Sequence, residues 1–157
     1  MVNGMYNYIL DQLPYKSSFR FVDEIAYLDS DKVIGHYTLK KDAFIYEDHF
    51  VGHPVTPGAI LTEIMAQIGL VVLGIYLVTP PPGQSDPPPE QKDTIPVFTS
   101  IQVEFLKMAL PGEKITVISK KDYFRFDKLK CHVEMKDASG ALIAKGVFAG
   151  IIKKITV

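Results

Sequence analysis

The residues best suited to acid–base chemistry gather in one window, from Glu47 to Gln67. His49 and His53 stand in a glycine- and proline-rich stretch, and Glu63 and Gln67 follow on an apolar segment. Positions 63 and 67 are four apart and share one helical face. A carboxylate on a helix built for burial would be desolvated, which favours a neutral acid able to give up a proton. The bland alternative is that Glu63 reaches solvent at the helix rim or is simply tied to Gln67. A neutral imidazole suits general-base work, and His49 is placed for it; His53, directly before Pro54, reads as structural. Gly58, early in the helix, can offer a backbone N–H and the positive end of the helix dipole to a developing oxyanion. Base, acid and oxyanion donor together suit proton removal α to a thioester carbonyl, with a β-hydroxyl leaving as water. A metal reading would draw on His49, His53 and Asp48 or Glu63. Glycine and proline around the histidines break helical presentation, so no ligand set emerges and no metal or cofactor is expected.

These groups need a scaffold. Residues 57–78 form a long apolar run whose polar groups are Thr62, Glu63, Gln67 and the Tyr76 hydroxyl. The run reads as one buried helix opened by Pro57 in its first turn. It is long enough to cross a bilayer, but Glu63 within it and strand-like flanks favour a helix buried in protein. Before it, residues 6–12 suggest a short helix, and 19–28 and 32–39 a β-hairpin about Asp29-Ser30-Asp31. After it, six of the 11 prolines fall between 80 and 89, so 79–93 reads as an exposed proline-rich loop. Residues 95–109, 114–126, 129–137 and 141–152 then alternate as four strands. A helix apolar on nearly all sides needs cover on nearly all sides. The simplest cover is a curved antiparallel β-sheet wrapped around one long central helix, an α+β fold in a single domain over 1–157, with dimerisation hiding the rest.

Composition narrows the function classes. With 157 residues, 47% of them hydrophobic, and a net charge of −1, one domain with a real core is expected, and no nucleic-acid partner, which would require a basic stripe. The N-terminus lacks a basic, then apolar, leader pattern, so a cytoplasmic location without membrane attachment is expected. The lone Cys131 lies in alternating sequence and reads as a buried structural thiol. The densest basic stretch runs from Lys120 to Lys130 around a hairpin turn; it could steer an acidic partner or be a solvated hairpin end.

The window also carries a family resemblance. His49-Phe50-Val51-Gly52-His53-Pro54-Val55-Thr56-Pro57-Gly58, followed by Glu63-Ile64-Met65-Ala66-Gln67, resembles the signature of the FabZ-type 3-hydroxyacyl-acyl-carrier-protein dehydratases. The resemblance extends more weakly from Leu13-Pro14 to the Pro111-Gly112 turn. It implies a hot-dog fold, a homodimer that in many members assembles as a trimer of dimers, and an active site at the dimer interface. By motif position it implies His49 as base and Glu63 of the partner subunit as acid. Gly58 N–H would hold the thioester oxygen, the Val55 carbonyl would orient His49, Gln67 would support the carboxylate, and Phe50 would line the substrate site. The implied partner is acyl carrier protein bearing a phosphopantetheine-linked chain, in fatty-acid or polyene-type biosynthesis. A hot-dog thioesterase or a non-catalytic acyl-binding protein are the alternatives. Two runs depart from the family: L-P-H-R-Y-P-F becomes Leu13-Pro14-Tyr15-Lys16-Ser17-Ser18-Phe19, and Phe-Arg-Arg-Pro becomes Phe105-Leu106-Lys107-Met108.

Overall fold

In the computed structural model, which describes residues 4–84 and 94–154, the long apolar run is the axis about which everything else is arranged. It comprises α3 (Gly58–Ala66), a π-helical stretch (Gln67–Val72) and α4 (Leu73–Val78). Its 18-residue apolar window has a mean hydropathy of 2.0, and 72% of it is buried within the chain itself. Ile64, Met65, Ile68, Leu70 and Leu73 are wholly inaccessible.

The cover is a six-stranded antiparallel sheet: β1 (Glu24–Leu28), β2 (Lys32–Thr38), β3 (Thr94–Phe105), β4 (Lys114–Arg125), β5 (Lys128–Lys136) and β6 (Leu142–Lys154), in spatial order β1-β2-β4-β5-β6-β3. Period-two alternation explains how one face meets the helix: Ile115, Val117 and Ser119 on β4 and Leu129, Cys131, Val133 and Met135 on β5 are buried in alternate positions. This is the α+β, hot-dog arrangement expected from the apolar run and the strand pattern. Of two short helices, α1 (Asn7–Leu10) precedes β1 and α2 (Ile45–Asp48) lies between β2 and α3.

Four details differ from the sequence reading. The helix is not continuous α-helix. At its centre, Gly69 sits so close to the sheet that a Cβ would lie 2.9 Å from a Val133 methyl. The buried Ser119 hydroxyl donates to the Gly69 carbonyl at 2.7 Å, serving a backbone group in the widened turn. Uniformly apolar sequence carries no mark of such a bulge. Pro57 caps the helix rather than entering it, with ψ of 141°. The first strand starts at Glu24, not near 19, because Phe19 and Phe21 bond to a helix side chain instead of a strand (below). The third strand ends at Phe105, where Leu106 and Lys107 N–H both turn onto the Ile143 carbonyl. Of the proline-rich loop, 85–93 lie outside the described residues; Pro81, Pro82, Gly83 and Gln84 are exposed.

Two contacts orient helix against sheet. Gly58, at the helix start, lies against the Phe105 ring at the end of β3. Gly74, near its end, lies against Ile152 and Leu129, beside the β4–β5 hairpin. The helix therefore starts at one end of the sheet and finishes at the other.

Candidate active site

The loop between α2 and α3 is held by paired hydrogen bonds. Phe50 N–H donates to the His53 carbonyl at 2.8 Å and His53 N–H returns to Phe50 at 2.9 Å. Gly52 supplies the positive φ of 74° that this tight turn requires. Val55 N–H then donates to the His49 carbonyl at 2.9 Å, and His49 Nδ1 lies 2.8 Å from the Val55 carbonyl. A carbonyl only accepts, so Nδ1 carries the proton and the Nε2 lone pair of the neutral ring is free to act as a base. The Phe50 ring stacks on His49, centroids 3.9 Å apart, and is more than half exposed. Beneath the loop, the buried Tyr46 hydroxyl and Thr56 hydroxyl meet at 2.7 Å, and Thr56 N–H donates to Ala109. Neither residue drew attention as sequence, since nothing in a tyrosine and a threonine ten apart signals that they meet.

His49 opens onto a cavity of about 450 Å³ shared with Val55, Gly58, Leu61, Phe105 and Met108. Gly58 is the first residue of α3 and Pro57 gives it no side-chain cap, so its N–H has no acceptor in the helix. The close approach of Phe105 explains the glycine: a Cβ at 58 would lie 3.1 Å from the ring. The wall contributed by Phe105 and Met108 is the second feature that the motif did not disclose; its only sequence signal is the altered run that begins at Phe105. Lys107, on the same wall, is paired with Asp137. That lysine and the Ser139 hydroxyl hold the Asp137 carboxyl well below the usual carboxylate range.

Glu63 and Gln67 do not line this cavity. Gln67 is wholly buried and its amide is spent on three partners: Nε2 donates to Glu63 Oε1 and to the Phe19 carbonyl, each at 2.9 Å, and Oε1 accepts from Phe21 N–H at 2.8 Å. The amide thus replaces a strand neighbour for residues 19–21 and fixes one oxygen of the half-buried Glu63. Tyr15 lies close by; burial chiefly, and the Glu63 charge secondarily, push its phenol up. One chain therefore brings His49, Val55 and Gly58 together in a cavity, and Glu63 with Gln67 on another face. His53 is exposed. Among the described residues no three His, Cys, Asp or Glu side chains cluster to hold a metal.

A second groove, of about 350 Å³, crosses the outer face of β3, β5 and β6. Its ionisable groups are occupied with each other or with neighbours: Lys145 lies 3.7 Å from Glu104, and His132 3.7 Å from Asp122. It offers no free base beside an oxyanion donor.

Against known proteins, residues 13–139 match the FabA-like domain. The chain is 30% identical to a 3-hydroxyacyl-[acyl-carrier-protein] dehydratase FabZ of Caldicellulosiruptor saccharolyticus, over 92% of this chain and 96% of that one. It is also 30% identical to the FabZ of Geobacter metallireducens, over 71% and 69%. Among solved structures, the dehydratase heterocomplex ApeI:P of Xenorhabdus doucetiae superposes with a TM-score of 0.73 at 13% identity, over 93% of this chain and 91% of that one. A hypothetical thioesterase of Streptococcus pneumoniae with coenzyme A superposes at 0.61 and 13% identity, over 85% and 88%. At such identities the structural likeness speaks for the fold alone.

Proposed function

The chain belongs to the FabA-like family of hot-dog dehydratases, and from that premise we propose that it removes water from 3-hydroxyacyl thioesters carried on acyl carrier protein. The product is the trans-2-enoyl thioester, and the setting fatty-acid biosynthesis or a related acyl-chain pathway. The observation that carries the reading is the cavity holding an oriented histidine base beside an uncapped helix N–H.

In the reaction, His49 Nε2 takes the α-proton and the electron pair moves onto the thioester oxygen, where the Gly58 N–H meets the developing charge. The pair then returns to form the Cα–Cβ double bond as the β C–O bond breaks. A carboxylic acid gives its proton to the departing hydroxyl, and water leaves. His49 has gained one proton and the acid has lost one, so exchange with solvent resets both. Since Glu63 of the same chain lies off the cavity, the acid is assigned to the partner subunit's Glu63. This requires a homodimer, which would form along β3. That strand is an edge of the sheet and leaves Val97, Phe98, Ile101 and Phe105 between 37% and 51% exposed, an apolar edge that calls for cover. Further assembly into a trimer of dimers and a cytoplasmic location complete the proposal.

The test is incubation with a panel of 3-hydroxyacyl carrier-protein thioesters, following enoyl-thioester absorbance and free thiol together. Enoyl formation without thiol release is expected. Thiol release without enoyl formation would make the chain a thioesterase, and neither signal would make it an acyl-binding protein.

A further inference from the structure

We infer that Phe126, at the tip of the β4–β5 hairpin, is an apolar anchor that docks the acidic carrier protein; the inference rests on the dehydratase reading above. Phe126 is 97% exposed, more than any other large apolar side chain among the described residues. It contributes nothing to the core, and the turn does not call for it. Phe126 and Asp127 both hold positive φ, 50° and 61°, between the paired residues Arg125 and Lys128. Two-residue turns of this hand ordinarily take Asn-Gly or Asp-Gly, and a bulky side chain there is disfavoured. A phenylalanine that strains its own turn to stand in water is suited to a partner's surface.

The surroundings give that partner its charge. Five basic and two acidic residues lie between 120 and 130. Lys121 is engaged by Asp31 at 3.2 Å and Lys130 by Asp122 at 3.8 Å. Arg125 and Lys128 pair with no carboxylate among the described residues; the Arg125 guanidinium lies over the Tyr123 ring, 4.6 Å from its centroid. By contrast Lys107, at the rim of the His49 cavity, is committed to Asp137. An acidic protein thus meets available cations at the hairpin. An anionic membrane fits less well, because inserting Phe126 would drag the adjacent Asp127 carboxylate toward the lipid.

Placement supplies the link to catalysis. In its own chain the hairpin is at the far end of the sheet from the cavity, since Gly74 packs against Leu129 while Gly58 packs against Phe105. Leu129 and Met135, which lead by register through β6 to Phe98 and Phe105, are six residues apart on β5, about 20 Å. A two-fold pairing of β3 edges runs the two sheets in opposite directions. It carries the hairpin of one subunit to the cavity end of the other, with β5 about 14 Å, three strand spacings, from the neighbouring β3. A carrier seated on one subunit's hairpin would deliver its acyl chain to the cavity of the other.

The experiment uses the full-length chain and Phe126→Asn, which suits the turn. It compares kcat/KM for a 3-hydroxyacyl carrier protein with that for the same acyl group on N-acetylcysteamine, and measures binding of the carrier by fluorescence anisotropy. The ratio of the two kcat/KM values should fall about tenfold, the carrier Kd should rise by a similar factor, and Tm should hold or increase. An unchanged ratio and Kd would overturn the inference, as would equal losses on both substrates, which would indicate a structural role. Phe126-dependent binding to phosphatidylglycerol vesicles with an unchanged carrier Kd would assign the tip to membranes instead. If the wild-type chain dehydrates neither substrate, the dehydratase reading fails, while carrier binding still decides the docking.

Discussion

Replacing Gln67 with leucine probes the tie between the helix, the 19–21 segment and Glu63. The amide makes three hydrogen bonds at 2.8–2.9 Å from a wholly buried position. At about 1 kcal/mol each, their loss costs about 3 kcal/mol. Extra apolar contact by leucine returns about 1 kcal/mol, for a net loss of about 2. In a chain of this size that lowers Tm by roughly 4–8 °C. The effect on catalysis should be separable. With one carboxyl oxygen no longer held, kcat should fall about tenfold, equivalent to about 1.4 kcal/mol, while KM stays within about twofold. Thermal melts followed by circular dichroism and steady-state dehydration kinetics read the two effects. A Gln67→Leu protein that melts with the wild type and turns over at its rate would refute both the proposed role of the amide and that of the carboxyl it holds.

Asp137→Asn should flatten the acid limb of the stability curve. A carboxyl held low in the folded chain by Lys107 and Ser139 stabilises above its unfolded pKa of about 3.9 and loses that contribution as pH falls below it. Urea midpoints at pH 5 and pH 2.5 should therefore differ more in the wild type than in the variant. At the other extreme, burial pushes the Cys131 thiol up to about 11. Its contribution is intact below the unfolded value of about 8.5 and is lost as pH rises through the folded one. Cys131→Ala should retain stability better than the wild type between pH 9 and 11, measured as the change in urea midpoint from pH 7.

Much of the fold was legible because its determinants are periodic. Burial alternates along β5 and along the first half of β4, up to Ser119, and the 57–78 run is apolar enough to need cover on nearly all sides. The misplaced boundaries mark points where a tertiary contact overrides local pattern. Residues 19–21 look like strand, but Gln67 supplies the partners that a strand would, and the π-helical turn coincides with the bond between Ser119 and Gly69, 50 residues apart. The motif residues of the candidate site could be read from the sequence, whereas which of them share a cavity could not. Spacing put Glu63 and Gln67 on one face, and the 2.9 Å bond between them agrees. No spacing could tell that the His49 cavity opens away from Glu63, or that Phe105 closes over Gly58. Those facts depend on where β3 ends, more than 40 residues later.

The division of the reaction between two chains is decided most directly by mixing His49→Ala and Glu63→Ala proteins after dissociation and reassociation. Each is expected to be inactive alone. In a mixed dimer one site loses both groups and the other keeps both. Random pairing should therefore restore about one quarter of wild-type turnover. Mixed dimers demonstrated by mass spectrometry, yet silent in the dehydration assay, would contradict a base and an acid contributed by different subunits.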